Sequence, residues 1–407
     1  MSPRTPAGPR GGDTSGARSA PGGATYAGAG VDIAAGDAAV ARIGELVAST
    51  HRPEVLGGIG GFGGSFAFDP TRYRAPVLVS STDGVGTKSY VAAATGRYGT
   101  IGVDLVAMCV DDIVCVGAEP LFLLDYVTTG KLDPDQMEEL VSGVATGCRA
   151  AGCALLGGEM AEHPGSLPPG EFDLAGFTVG VVERDRMLGR ERVVVGDVLV
   201  GLLSPGLRCN GYTLARHVLL ERAGLGLDDP AWPGAPHTLA DELLAPSVVY
   251  APAVLAALRA LGSAAATGAA AAEGAATGAV HAAAHVTGGG LPGNLGRVIP
   301  GGADAVVDRG AWEEPRIFDE IRRLGDVDEA EMARVFNLGI GMVLVVAAAD
   351  AARAVDALGA AGCPAVVMGR VSEGTGRVRL EGTRPGRGTG HPGATHTGDG
   401  AHTGDGT

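Results

Sequence analysis

Between Pro76 and Lys131 the chain reads PVLVSSTDGVGTKSYVAAATGRYGTIGVDLVAMCVDDIVCVGAEPLFLLDYVTTGK, and no other stretch constrains the fold as strongly. A β-rich run, Val77 to Ser81, is predicted to stop at Asp83-Gly84-Val85-Gly86-Thr87-Lys88, where two glycines permit a tight turn and uncover backbone N–H groups. A carboxylate, bare backbone and one lysine are thereby gathered at a strand end. Beyond the turn, Asp104, Asp111 and Asp112 stand among Ile101, Leu105, Met108 and Cys109 at helical spacing. At about 100° per residue, Asp104 and Asp111 fall within about 20° of each other. Paired acids on an apolar helix beside a glycine turn suit a metal-bridged polyphosphate. Capping and surface acids on an ordinary helix suit the same spacing, and spacing alone leaves both open.

The charge balance limits the partners. A formal net charge of −15 and a pI near 5.0 argue against a general binder of nucleic acid or anionic membrane, which needs clustered positive charge. Any phosphate must be bound locally. Of 31 basic residues only Lys88 and Lys131 are lysine. A lysine kept where arginine fills nearly every other cationic place points to a compact point charge, as in phosphate-binding loops, with chance survival as the alternative. The six cysteines show neither paired nor zinc spacing, which reads as buried free thiols in a reducing cytoplasm. No apolar run reaches the length of a membrane span, and no apolar segment of a secretory signal follows the N-terminal arginines.

A length of 407 residues accommodates two domains once the tails are removed. Residues 1–23 and 381–407 are predicted to be disordered tails, because Pro, Gly, Ser, Thr and His give them little to bury. The first domain is placed at 24–192. It opens with a helix through Ala39, Ile43 and Val47, and continues into a glycine loop, Gly57 to Ser65, whose ordering cost is tolerable if it closes over a ligand. Asp133-Pro134 with Gln136 reads as a helix start with a capping box. A buried strand, Cys153 to Leu156, then delivers Glu159. The second domain is placed at 193–380, with a strand to Leu203, Asn210-Gly211-Tyr212 ahead of a helix, and an Ala, Gly and Thr insertion at 262–279. The amides of Thr287-Gly288-Gly289-Gly290 precede a short helix and suit an anion. A closing helix follows Asp350 as its N-cap. Short strands and helices mixed in two successive units indicate α+β domains.

The run DGVGTK followed by TIGVDLVAMCVDDIVCVGAEPLFLLDYVTTGKLD resembles the aminoimidazole ribonucleotide synthetase family, also called phosphoribosylformylglycinamidine cyclo-ligase. The likeness continues through Gly157-Gly158-Glu159, Asn210-Gly211-Tyr212, Thr287 to Gly290 and Asn337 to Met342, in order over about residues 24–380. The resemblance implies a homodimer whose N-terminal sheets pair into a barrel, and ATP-dependent closure of formylglycinamidine ribonucleotide to aminoimidazole ribonucleotide in purine synthesis. It implies Mg²⁺ held by Asp83, Asp104, Asp111, Asp112 and Glu159. Gly60, Gly61, Gly63, Gly84, Gly86, Thr87 and Lys88 would meet the nucleotide, with Lys88, Asp83 and Asp112 as catalytic groups. Asn210, Tyr212, Thr287, Gly288 and Gly289 would meet the substrate. The chain departs from the family pattern twice: Arg208-Cys209 stands where His-Ser is usual, and Asp111 where an asparagine is more common. Selenophosphate synthetase, thiamine-monophosphate kinase and the hydrogenase maturation dehydratase share the ATP site. A glycine loop without cysteine argues against the first, and a tail without a terminal cysteine against the last. An inactive nucleotide-binding scaffold remains the non-enzyme alternative.

Overall fold

The computed structural model describes residues 25–262 and 278–385. The predicted N-terminal tail, most of the predicted insertion and most of the predicted C-terminal tail lie outside the described residues. Helix α1 (Ile33–Ala48) starts on Asp32, whose carboxylate accepts the amides of Ala34 and Ala35, and it buries the predicted Ala39, Ile43 and Val47. The glycine loop is closed by a two-residue ladder of β1 (Val55–Leu56) and β2 (Ser65–Phe66). Then follow β3 (Pro76–Gly84), α2 (Lys88–Thr95), α3 (Gly99–Val114), β4 (Glu119–Thr129), α4 (Pro134–Ala151), β5 (Ala154–Glu162) and β6 (Phe172–Glu183). The sheet order is β3-β6-β4-β5, with β4 and β5 parallel and the other pairs antiparallel.

Helices α3 and α4 cross closely because glycine stands at their contact. A Cβ on Gly102 would lie 2.2 Å from the amide nitrogen of Val144, and one on Gly143 would lie 2.2 Å from the carbonyl of Gly99, separations no side chain tolerates. The opposite face of the sheet leaves Leu78, Tyr126 and Phe177 exposed. Strand β3 outlasts its predicted end, since Asp83 and Gly84 still pair with Gly176 and Ala175 of β6. The predicted capping box is not formed. Asp133 accepts the amide of Asp135, while Gln136 turns inward and donates to the carbonyl of Gly170. Asp350 also makes no side-chain cap, its carboxylate being taken by Arg353.

Two short 3₁₀ turns, Arg184–Arg186 and Arg190–Arg192, lead to the second unit. It comprises β7 (Val198–Leu203), α5 (Tyr212–Arg216), α6 (Leu239–Leu243), α7 (Ala251–Gly262), β8 (Val280–His285), α8 (Gly290–Leu295), β9 (Ala303–Asp308), α9 (Arg316–Gly325), α10 (Glu329–Val335), β10 (Ile340–Val346), α11 (Ala351–Ala360), β11 (Ala365–Glu373) and β12 (Val378–Glu381). Its sheet runs β12-β9-β11-β7-β10-β8. Every residue of β10 is buried, as befits an apolar strand covered on both faces. The ordered chain continues past 380, for Glu381 closes β12 and Arg384 pairs with Asp319. Two mixed sheets with their helices make an α+β protein. One apolar cluster runs through both units, from Leu105 and Val110 of α3 to Val254 and Ala257 of α7, so the acid helix is also an interdomain surface. Among the described residues no helix is long and apolar enough to cross a membrane.

Candidate active site

Helix α3 sorts its acids by angle. Asp104 and Asp111, one above the other, both face the second unit and are fully buried. Asp104 lies 2.6 Å from the ammonium of Lys88, and its other oxygen accepts the amide of Ser247 at 2.8 Å. Lys88, itself buried, donates to the carbonyl of Ala245 at 2.8 Å, with the Tyr212 ring 5.6 Å away. Asp111 caps α7 from another domain: one oxygen accepts the amides of Tyr250 and Ala251, and the other meets Arg208 at 2.9 Å. Burial raises the Asp111 pKa, against the charge of Arg208.

Asp112, about 100° further round, points back to the sheet. Its oxygens take the Nδ1 of His285 at 2.9 Å and the hydroxyl of Ser81 at 3.0 Å, and its side chain is 42% exposed. Burial pushes its pKa up, but the hydrogen bonds of His285 and Ser81 and the charge of Arg297 leave it below the ordinary carboxylate value. Asp83 is held above that value by burial, with the charge of Asp112 adding to the rise and the Gly84 amide opposing it.

Strand register adds an acid that the sequence reading did not single out. Asp83 sits opposite Gly176, Gly176 opposite Asp125, and Asp125 opposite Gly158, so two carboxylates share one row and one face across four strands. The glycines leave room: a Cβ on Gly158 would lie 1.9 Å from an Asp125 oxygen, and one on Gly176 would lie 2.9 Å from the Cys109 sulfur. Burial pushes the Asp125 carboxyl up to about 7. A lone acid in LFLLDY was the available signal, but only the pairing of β4 with β6 gives it meaning. Cys109, under the same row, is pushed up to about 12 by burial, and all the cysteines are unpaired.

Some of the predicted site residues line three separate hollows, while Lys88, Asp104 and Asp111 are buried away from them. A cavity of 720 Å³ lies under the glycine loop and is lined by Gly60, Gly61, Gly63, Asp125 and Glu159, with no basic side chain. A groove of 600 Å³ is lined by Gly86, Thr87, Asn210, Tyr212 and His217, and in it the buried Oδ1 of Asn210 has no partner. The Tyr212 hydroxyl turns away to the carbonyl of Leu243. A cleft of 290 Å³ between the units holds Ser81, Asp112, His285, Asn294 and Arg297. Arg297, exposed and beside Asp112, was also missed in the sequence. Thr287, Gly288 and Gly290 give their carbonyls to the Asn294 amide, closing their own turn. Lys131 is exposed. Among the described residues no three His, Cys, Asp or Glu side chains converge as a preformed metal cluster.

The family models described as AIR synthase related protein, N-terminal domain and C-terminal domain, match residues 72–182 and 263–381. The chain is 52% identical over 357 residues to the phosphoribosylformylglycinamidine cyclo-ligase of Myxococcus xanthus (strain DK1622), covering 88% of this chain and 98% of the relative. The chain belongs to the AIR synthase family. A relative of the same name from Trichlorobacter lovleyi is 48% identical over 348 residues, 86% of this chain and 95% of its own. Among solved structures, thiamine-monophosphate kinase from Stenotrophomonas maltophilia K279a aligns with a TM-score of 0.58 at 19% identity over 85% of this chain and 97% of that one. Hydrogenase maturation protein HypE in complex with ATP aligns with a TM-score of 0.56 at 18% identity, over 83% and 89%. These two share the fold. Asp111 and Arg208, the two positions where the sequence reading expects a departure from the family pattern, touch each other.

Proposed function

We infer that the chain is a phosphoribosylformylglycinamidine cyclo-ligase, closing formylglycinamidine ribonucleotide to aminoimidazole ribonucleotide at the expense of ATP, in purine synthesis. The observation that carries this reading is identity of about half, sustained over nearly the whole length of relatives bearing that name. The thiamine-phosphate and hydrogenase-maturation neighbours, at 19% and 18% identity, share architecture alone.

The residue types suit the chemistry. An amide oxygen leaves poorly, so a phosphoryl group is first transferred to it, and the substrate's own nitrogen then attacks the activated carbon and expels phosphate. Catalysis of this kind is positioning and charge stabilisation, with no covalent nucleophile required of the protein. The cavity under the glycine loop is lined by acids without a basic partner, so a polyphosphate enters it only in company with cations. The cavity's own hard oxygens, Glu159 and Asp125, fit Mg²⁺; Asp83, in the row of Asp125, and Asp112, in the cleft between the units, are the further carboxylates assigned to it. Bound Mg²⁺ would neutralise charge on the transferring phosphates. Asp104 and Asp111, spent on Lys88, Arg208 and backbone amides, are assigned to joining the domains. Lys88 accordingly anchors the Gly84 to Thr87 turn. Gly60, Gly61 and Gly63 form the cover of the nucleotide, and Asn210, with its unpartnered oxygen, a substrate contact beside Gly86 and Thr87.

The apolar sheet face bearing Leu78, Tyr126 and Phe177 supports a homodimer in which two such sheets close against each other. Unpaired thiols are in keeping with a cytoplasmic setting. Purified protein should release ADP only with formylglycinamidine ribonucleotide present. Equal release without it, or release with thiamine phosphate instead, would sink the assignment. Phe177→Lys should halve the mass seen by light scattering, and an unchanged mass would remove this face from the interface.

A further inference from the structure

We propose that Arg208 is a positioning residue that fixes the tautomer of His285 and, through it, the aim of Asp112 into the interdomain cleft. The role assigned to Asp112 rests on the function proposed above; the tautomer does not.

The geometry is specific. Arg208 is buried, and its backbone adopts φ 65°, a left-handed conformation that residues bearing a Cβ seldom adopt and that surroundings must enforce. Three contacts enforce it: one terminal nitrogen donates to the carbonyl of Val248 at 2.8 Å, the other meets Asp111 at 2.9 Å, and the guanidinium lies 4.6 Å from the Tyr250 ring. The nitrogen bound to Asp111 also stands 3.0 Å from Nε2 of His285. A guanidinium has hydrogens to give and no lone pair to offer. Nε2 must therefore accept, and the ring hydrogen must sit on Nδ1. On that side, 2.9 Å away, is an oxygen of Asp112, which accepts it. Both ends of the ring thus require the same tautomer, and the two contacts hold the ring plane.

The chain of contacts crosses the domain boundary twice, from Asp111 to Arg208, on to His285 and back to Asp112. Asp111 is what allows the arginine to be there: without it a guanidinium would be buried beside backbone with its charge uncompensated. On this reading Asp111 and Arg208 act as one unit, a charged pair that supplies His285 with a donor that has no alternative protonation state.

The test uses the full-length chain with ¹⁵N-labelled histidine, free of metal and nucleotide, the His285 signals being assigned by their loss in His285→Gln. Long-range ¹H–¹⁵N spectra should show His285 with its hydrogen on Nδ1. In Asp111→Asn/Arg208→Met, which removes both charges but keeps an oxygen for the amides of Tyr250 and Ala251, only Asp112 still favours the hydrogen on Nδ1 and nothing opposes one on Nε2, so the single pattern should give way to a mixture of the two tautomers. Rate against free Mg²⁺ should then show half-saturation raised about tenfold with the plateau largely kept. Should that variant not fold, Asp111→Asn/Arg208→Gln keeps a polar side chain that can accept as well as donate, with the same readouts. A hydrogen on Nε2 in the parent, or an unchanged pattern in the variants, would overturn the proposal. An altered tautomer with unaltered Mg²⁺ dependence would overturn the positioning role. A parent with the expected tautomer and no substrate-dependent turnover would instead refute the enzyme assignment and leave the tautomer lock standing.

Discussion

Asp111 and Asp112 are consecutive residues with opposite fates. Asp111, at 0% exposure, spends both oxygens on the second unit, whereas Asp112, with its side chain 42% exposed, lines the cleft between the units beside Ser81 and His285. One step of about 100° along a helix separates a buried, saturated carboxylate from a partly exposed one. Aspartate suits both tasks, and what decides between them is whether a positive charge and backbone amides saturate the carboxylate. Asp104 and Asp111 meet Lys88 and Arg208 in the buried interface; Asp83 and Asp125 meet glycine.

The largest effect should come from breaking a strut. Lys88→Met leaves Asp104 buried without its cation and should cost about 3–5 kcal/mol of stability in urea unfolding, with much of that regained in Lys88→Met/Asp104→Asn. Equal stability of the single and double variants would mean that the pair is not a strut. The next effect belongs to the open acid. Asp112→Asn should lower turnover by about 10²–10³, ~3–4 kcal/mol in barrier, while urea unfolding stays within about 1 kcal/mol of the parent. A stability loss as large as that of Lys88→Met would erase the contrast between the two faces.

The smallest effect is a matter of pH. Burial raises the Asp125 carboxyl from the ordinary aspartate range to about 7, so the folded state binds a proton more tightly than the unfolded chain. Its contribution is fully present below the unfolded value and is lost as pH rises through the folded one. Asp125→Asn should therefore flatten the fall in stability between about pH 4 and 7 and leave the variant more stable at pH 8, by at most ~4 kcal/mol and less where water reaches the carboxyl. A variant that is less stable at pH 8 would show the carboxylate to be stabilised there by something unaccounted for.

The contrast also marks what a sequence makes legible. Helical spacing places Asp104 and Asp111 on one line, because 3.6 residues per turn is a local property. It does not say that the line faces a second domain 140 residues away in sequence, where Ser247 and Tyr250 wait with their amides. Asp125 stayed hidden for the same reason: its alignment with Asp83 exists only through Gly176 on a strand about 50 residues later. Asp133 as a cap and the α1 stripe were readable since both are settled within a few residues. Gln136 failed as a capping partner because its side chain is buried and its amide donates to the carbonyl of Gly170 instead. The family resemblance named the glycine loop, the acids and Asn210 as one site, whereas the fold sets Gly60 and Glu159, Asn210, and Asp112 in three separate hollows, which is a tertiary fact.

The most direct measurement is of ADP formed by the purified chain against free Mg²⁺, with and without formylglycinamidine ribonucleotide, for the parent, Asp111→Asn and Asp112→Asn. The account predicts turnover that requires the ribonucleotide, a plateau kept in Asp111→Asn so long as the protein is folded, and a collapsed plateau in Asp112→Asn. Full activity in Asp112→Asn with a collapsed plateau in folded Asp111→Asn would contradict it, and would make the buried acid the one that does the chemistry.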